Sequence, residues 1–390
     1  MRQSFLETIL LDERHRNVIA RPGVRIFGAR FPELIDLQNA ALQNELWLEG
    51  CLLESGANLS WLKSTQPIGI LSSRVGDALT MYSLQVDSTV ILRQSEFVAD
   101  VTAVGATISH TLDMRGSKVS GTLDLDSLRV GVHLLMYDAE FHEIVLENAE
   151  IGGQLDFSGS TFHENVTLNG AHIGGALQFV SAQRSPAQWS DDAILLSLRN
   201  ARADVIPNLS DPWPNKLDLD GLTYRNLTSR SSDIRNDFNR WIGKLFQYSR
   251  QPYEQLATVL QTQGDIGSAT VVRYSARERE RRDATHWWVW LWLTLLDSFV
   301  GYGYYPQYTF GWAAFFVILG AVVLQMSGEG PKNGIGVAYS FDMLLPLVRL
   351  REKHYSIDLA GRARYYFYIH KIMGWVLASF FIAGLSGLTQ

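Results

Sequence analysis

Apolar residues fall in pairs of the form apolar-x-apolar, and the pairs recur every eleven residues through the first half of the chain. Ile35/Leu37, Leu46/Leu48, Ala57/Leu59, Ile68/Ile70, Leu79/Met81, Val90/Leu92 and Val101/Ala103 keep this interval, and Leu112/Met114 to Leu177/Phe179 continue it, with one shorter step of ten residues from Leu134 to Ile144. A second apolar position keeps the same interval midway, at Val75, Val86, Phe97, Ile108, Val119, Val130, Phe141, Ile151, Phe162 and Ile173. A small residue often stands two places before it, as at Ala106, Ser117, Ala139, Ala149 and Ala171. Side chains alternate along an extended segment, so each apolar-x-apolar pair aims two side chains to one side. The three- and four-residue spacing of a helix is missing.

Short strands parted by turn residues (Gly152-Gly153, Ser158-Gly159-Ser160, Asn169-Gly170, Gly174-Gly175) predict a parallel β-solenoid. Two kinds of unit alternate. Ala149–Phe157 returns 22 residues later as Ala171–Phe179, and between the copies Phe162-His163-Glu164 echoes Phe141-His142-Glu143. One coil is therefore expected to take two units, and at one strand spacing per coil the regular part would run roughly 30 Å. Repeat arrays need covered ends. Phe5–His15 reads as a short helix that closes the N-terminal end, and residues 1–24 are assigned to this cap. The rhythm breaks at Ser181–Ala193 and returns less cleanly at Leu196/Leu198 and Leu217/Leu219, which puts the solenoid at 25–230.

These residues resemble pentapeptide-repeat and related right-handed β-helix proteins, whose signature is a small residue followed two places later by Leu or Phe. The period here is eleven, where the strict family uses fives. The resemblance implies a right-handed parallel β-helix.

From Ser232 the pattern turns helical. Ile234, Phe238, Trp241, Ile242 and Leu245 recur at helical spacing, Pro252 opens a second helix with Leu256 and Leu260, and Ala269, Val272 and Ala276 mark a third after the turn at Gly264. Residues 231–285 are expected to form a helical connector, similar to a tetratricopeptide-type hairpin around Gly264. It ends in the charge run Arg277-Glu278-Arg279-Glu280-Arg281-Arg282-Asp283.

Residues 286–390 predict a membrane domain. Thr309–Met326 is about long enough to cross a bilayer and carries no formal charge; Tyr365–Leu388 is a second candidate, with only His370 and Lys371 near its start. Trp287, Trp288, Trp290 and Trp292 are the residue type that prefers the membrane interface, so 286–300 is expected to lie at the surface, anchored by these tryptophans together with Arg281 and Arg282. No signal peptide is expected, since Phe5–Leu11 is short and Asp12-Glu13-Arg14 follows it. Arg277–Arg282 favours a cytoplasmic solenoid. Two spans then place the basic segment 327–364 outside, against the positive-inside tendency. A third span through 286–304 would remove that conflict but would bury Asp297. Two spans are the preferred reading.

Between the spans, 339–350 is apolar, too short to cross, and interrupted by Pro346. It reads as a re-entrant or interfacial segment, with Asp342, Pro346 and Arg349 as candidate pore residues; a ring of Arg349 about a symmetry axis would favour anions. Gly301-Tyr302-Gly303-Tyr304 precedes the first span instead of lying between two, so it reads as a surface turn and not as a cation filter.

The second half is similar to a bacterial family of membrane proteins that join a pentapeptide-like solenoid to a C-terminal membrane unit. The residues that carry the likeness are Pro252–Ala257, Val300–Tyr304, Tyr339–Pro346, Gly374–Leu377 and Ala383–Leu388. It implies a bacterial inner-membrane protein with two spans. Some members bear an oxidoreductase label, which the residues here do not support.

Composition adds little: 390 residues, 46% apolar, 19% charged and a formal charge of −6 average two unlike halves. No Gly-rich strand–turn–helix fingerprint for a dinucleotide, nucleophile elbow, phosphate loop or His-Glu-x-x-His is present. The single Cys51 excludes an intrachain disulfide, a Cys-based zinc site and a dithiol pair. His142-Glu143 and His163-Glu164 could face a divalent metal across adjacent coils, but solvated turn positions explain them more simply. The expectation is therefore no enzyme, no cofactor, no metal and no nucleic acid. The chain reads as a membrane-anchored scaffold or sensor that meets membrane lipids, self-associates as a homo-oligomer, or binds a protein partner. The alternative is an oligomeric channel-like or membrane-permeabilising effector of defence or stress, gated by the solenoid.

Overall fold

A computed structural model of the chain describes residues 3–16, 23–207, 213–228, 234–346 and 348–385. Two compact units divide at Val272/Arg273.

The first unit is a β-solenoid of parallel strands spanning 24–228, with about nine turns. Four short strands make one coil, for example Leu46–Glu49, Leu52–Leu53, Ala57–Asn58 and Lys63–Ser64. Each pairs in parallel with the strand 22 residues on: Leu46 with Ile68, Leu53 with Val75, Ala57 with Leu79, Ser64 with Val86. The apolar-x-apolar pairs thus supply two ladders and the midway residues the other two. Both members of each pair point inward, as with Val90 and Leu92, and the midway Val75, Val86, Phe97 and Ile108 are equally buried. The ten-residue step is absorbed in one corner: Val119 pairs with Phe141, but Thr122 pairs with Glu143, and the register shift lies between them.

Two columns of left-handed backbone turn the corners. One runs through Asn39, Trp61, Ser83, Gly105, Ser127, Asn148, Gly170, Asn200 and Gly221, the other through Gly50, Ser72, Gln94, Gly116, Asp138 and Gly159. Asn, Asp and Gly suit this conformation, while other residues are strained by it. The two unit types also differ inside. One has a column of Cys51, Ser73, Ser95, Ser117, Ala139 and Ser160, all buried. Ser73 Oγ accepts from the Cys51 amide at 3.0 Å, Ser95 Oγ from the Ser73 amide at 3.2 Å, and Ser160 Oγ from the Ala139 amide at 3.1 Å. The other unit type carries Leu62, Leu84, Ala106 and Leu128 at the corresponding place.

Both ends of the coil are covered. Helix α1 (Gln3–Leu11) buries Leu6 and Leu10 on one stripe, followed by the short α2 (Glu13–Arg16). At the other end an aromatic column runs through Phe162, Trp189, Phe179 and Trp213 to Trp241 of α3 (Ile234–Gly243), with ring centroids 4.5, 5.9, 5.0 and 5.4 Å apart. Helix α4 (Arg250–Thr262) then lies along the last strand, Thr223–Thr228. Gln251, Gln255 and Gln263 donate to the carbonyls of Leu222, Tyr224 and Leu227 at 3.1, 2.9 and 3.2 Å. An open strand edge is a template for aggregation, and three glutamines occupy it. The helices expected to serve as a connector therefore include the solenoid's cap. Helix α5 (Ile266–Arg282) follows and contains the unit boundary.

The insertion after Phe179 folds back on the coils. Arg184 stacks 3.4 Å from the centre of the Tyr137 ring and lies 3.4 and 3.5 Å from Asp138 and Asp156. Trp189 resumes the midway ladder beside Phe162.

In the second unit, α6 (Trp287–Val300) is followed by a tight turn over Gly301–Gly303, α7 (Tyr308–Met326), α8 (Glu329–Asn333), α9 (Val337–Leu344), α10 (Glu352–Tyr355) and α11 (Gly361–Leu385). Tyr308–Met326 and Gly361–Ala383 are long and apolar enough to cross a membrane. The last three residues of the expected second span, 386–388, lie outside the described residues. Leu324, Tyr339, Met343, Leu359, Ala363 and Phe367 form the core where α7, α9 and α11 meet.

Candidate functional site

The segment between the two apolar helices is held by a buried carboxylate. Asp342, on α9, is shut off from solvent. Its Oδ1 accepts from the Leu350 amide at 2.9 Å and its Oδ2 from the Arg351 amide at 3.2 Å; His354 Nδ1 lies 2.8 Å from Oδ2. Tyr355 donates its hydroxyl to the Asp342 carbonyl at 3.2 Å. Burial pushes the Asp342 carboxyl up, but the Leu350 amide, His354 and the Arg351 amide outweigh it and hold the group below the usual carboxylate range. A buried carboxylate held by three donors is a structural staple: it pins the chain after Pro346 back onto α9.

The three candidate residues of the segment separate. Asp342 faces inward, whereas Pro346 and Arg349 line a pocket of about 250 Å³ with Met343, Val348, Lys371 and Trp375. Tyr355 also lines it. The Arg349 guanidinium sits 5.0 Å and the Lys371 ammonium 5.2 Å from the centre of that one ring. The sequence marked Lys371 only as a charge near the start of a span; its position 22 residues after Arg349 gives no hint that the two cations share an aromatic partner. The usable signal was a lysine inside an apolar helix, which has to face protein or a cavity.

Behind this pocket, His370 is buried where α7, α9 and α11 approach. Its Nε2 lies 2.9 Å from the Ser340 carbonyl, which can only accept, so Nε2 carries hydrogen and Nδ1 accepts from Tyr366 at 3.2 Å. Gly320 of α7 and Gly374 of α11 make room: a Cβ at Gly320 would collide with Ser340 Oγ and one at Gly374 with the Leu344 carbonyl.

The expected interface anchors divide in two. Trp287, Trp288, Trp290 and Trp292 are exposed by 75, 59, 52 and 52%, so all four indoles are at least half open to an outer phase. Arg281 is instead committed inside the unit, with its guanidinium 2.7 Å from Asp297, while Arg282 stays exposed. Tyr274 donates to the same carboxylate at 2.6 Å, and its phenol is pushed up by burial and then by Asp297. The charge that made 286–300 a poor span is thus neutralised by its own neighbours. Tyr302 is buried against Tyr274 at a left-handed φ of 53°, between Gly301 and Gly303, and burial pushes its phenol up to about 12.

In the solenoid, His142 and His163 lie with ring centroids 5.1 Å apart and their planes tilted by 39°, on adjacent coils as their spacing requires. His163 Nε2 meets Glu140 at 3.0 Å, Lys118 meets the same carboxylate at 2.9 Å, and Glu143 accepts from Thr122 at 3.2 Å. Glu164 takes no part in this set. Among the described residues no group of three or more His, Cys, Asp or Glu is placed to hold a metal ion. Comparison with family models, with curated proteins and with solved structures finds no match to this chain.

Proposed function

We propose that the chain is a non-enzymatic scaffold or sensor of a bacterial inner membrane: a cytoplasmic pentapeptide-like β-solenoid anchored by two spans, which self-associates or binds a protein partner. The observation that carries the reading is the outward face of the two apolar helices, each of which is only 22% buried. Phe310, Ile318 and Met326 on α7 and Ile369, Ile372 and Ile382 on α11 stand open by 60% or more. So much contiguous apolar surface calls for lipid or another apolar phase. Helix α6 supports two spans over three, because its 14 residues reach about 21 Å, short of a bilayer core of about 30 Å. Regular coils with inward apolar ladders offer a partner-sized outer surface, which favours a binding role. The test is flotation of the full chain with vesicles after alkaline carbonate washing; release into the wash sinks the membrane anchor.

A second reading, an oligomeric anion-conducting effector, is favoured by Arg349 and Lys371, two cations at one pocket, the second of them within the apolar helix α11. It requires a symmetric oligomer in detergent and dye or ion leakage from loaded vesicles. A monomer that leaves vesicles intact ends that reading and leaves the scaffold standing.

A further inference from the structure

We propose that the pocket between Arg349, Lys371 and the Tyr355 ring binds the phosphate of an anionic phosphate ester. Two cations converge on one aromatic ring at 5.0 and 5.2 Å, and neither has a carboxylate partner among the described residues. Asp342 turns its carboxylate oxygens to two amides and His354, and it forms no ion pair with either cation. Two cations in the lining of one pocket with no carboxylate partner make its potential positive, and a bound anion is attracted to both. Arginine offers the planar fork that matches phosphate oxygens, and lysine adds a point charge.

The rest of the lining selects the ligand class. Pro346, Val348 and Trp375 complete a wall whose open surface is mostly polar, so the pocket suits a phosphate and leaves apolar contact for the first carbons of its ester. About 250 Å³ holds a glycerophosphate group. Lys371 lies six residues after Tyr365 on α11, about 9 Å along the axis, which suits a lysine reaching back toward the headgroup layer. A phospholipid headgroup and a soluble phosphate ester share this chemistry. The choice between them rests on the membrane reading above; the existence of the site does not.

The test uses the purified full chain in detergent. Binding of phosphatidylglycerol and of phosphatidylcholine is measured for wild type, Arg349→Gln, Lys371→Gln, the double variant, Lys371→Arg, and Lys353→Gln as an exposed cation outside the pocket. Wild type is expected to prefer phosphatidylglycerol. Each Gln substitution should weaken that binding about tenfold, the usual weight of a charged hydrogen bond, while Lys371→Arg and Lys353→Gln stay near wild type. Competition with glycerol 1-phosphate and inorganic phosphate separates the sources: displacement at similar concentrations supports a soluble ester, and none supports a lipid headgroup. Equal binding of the two lipids by wild type, together with no detectable binding of glycerol 1-phosphate, overturns the proposal without recourse to any variant. So does undiminished phosphatidylglycerol binding by the folded double variant. Failure to float with vesicles removes the anchor reading alone, because the binding arms are read in detergent.

Discussion

Asp342 and His354 meet at 2.8 Å, with 0 and 8% of their side chains open to solvent. Removing one partner of a buried pair leaves the other desolvated and unpaired, so Asp342→Ala is expected to cost about 3–5 kcal/mol in thermal or denaturant unfolding of the detergent-solubilised chain. Asp342→Asn keeps the shape and one acceptor, and should cost less. The pH dependence follows from the depressed carboxyl. The unfolded chain takes up this proton first as pH falls, from about 3.9, so the stabilisation is whole at neutral pH and is lost as pH drops through the folded value. Asp342→Asn should flatten this acid limb. An unchanged acid limb in the variant would show that the pair carries no such stabilisation.

The serine column makes a sharper claim. Ser95 Oγ is the acceptor for the Ser73 amide and donates to the Ile70 carbonyl at 3.0 Å, all inside the coil. Ser95→Ala orphans a buried amide and is expected to cost about 1–3 kcal/mol by denaturant unfolding, although it removes a single oxygen. Cys51 stands in the same column, with burial pushing its thiol up, and should resist thiol reagents until the solenoid unfolds. Rapid labelling of the native chain at neutral pH would contradict this placement.

Trp61 holds a left-handed φ of 56° in the column where Asn39, Asn148 and Asn200 adopt the same turn, and its side chain is about half exposed. Trp61→Asn is expected to stabilise the solenoid by about 1 kcal/mol, the usual strain of that conformation. A loss in the same unfolding experiment would mean that indole packing outweighs the backbone.

These columns mark the limit of what the sequence made legible. Apolar pairs at a fixed interval betray their inward aim because burial tolerates little else, so the strands, the 22-residue coil and the short step at Leu134 could all be read. The turn columns showed only at glycines such as Gly159 and Gly170, because Trp61, Ser83, Gln94 and Asp138 share a backbone conformation and no chemistry. Gln251, Gln255 and Gln263 carry no signal in the sequence, because their role comes from the last strand lying beneath them. At the candidate site the tryptophans and Asp342 stood out by type. Lys371 and Tyr355 did not, since their meeting with Arg349 is a product of helix packing.

Alkaline titration separates Tyr274 from exposed tyrosines. Burial and the 2.6 Å bond to Asp297 raise its phenol, so the folded chain keeps a proton that the unfolded chain sheds from about pH 10. The stabilisation is therefore complete below pH 10 and is lost as pH rises through the folded value. Tyrosinate absorbance should show a late phase that Tyr274→Phe diminishes. Asp297→Asn should shift the remainder of that phase earlier and, by freeing Arg281, lower the unfolding temperature. Identical titrations for wild type and both variants would remove the Tyr274–Asp297–Arg281 contact from the account.

Glycines on one helix are expected to respond oppositely. Gly311 and Gly320 both lie in α7, yet a Cβ at Gly311 meets nothing within 4 Å, while one at Gly320 meets Ser340 Oγ and the His370 ring. On α11, a Cβ at Gly374 would run into the Leu344 carbonyl, a backbone atom that cannot swing aside. Gly311→Ala should be neutral or gain up to about 1 kcal/mol from helix propensity. Gly320→Ala and Gly374→Ala should lose about 1–3 kcal/mol through overpacking, with Gly374 the worse because a serine rotamer can move and a carbonyl cannot. Thermal unfolding of the three variants in one detergent reads this directly. The order Gly311, Gly320, Gly374 is the signature of close α7–α9–α11 packing, and three equal effects would mean that these helices do not approach one another as closely as their glycines require.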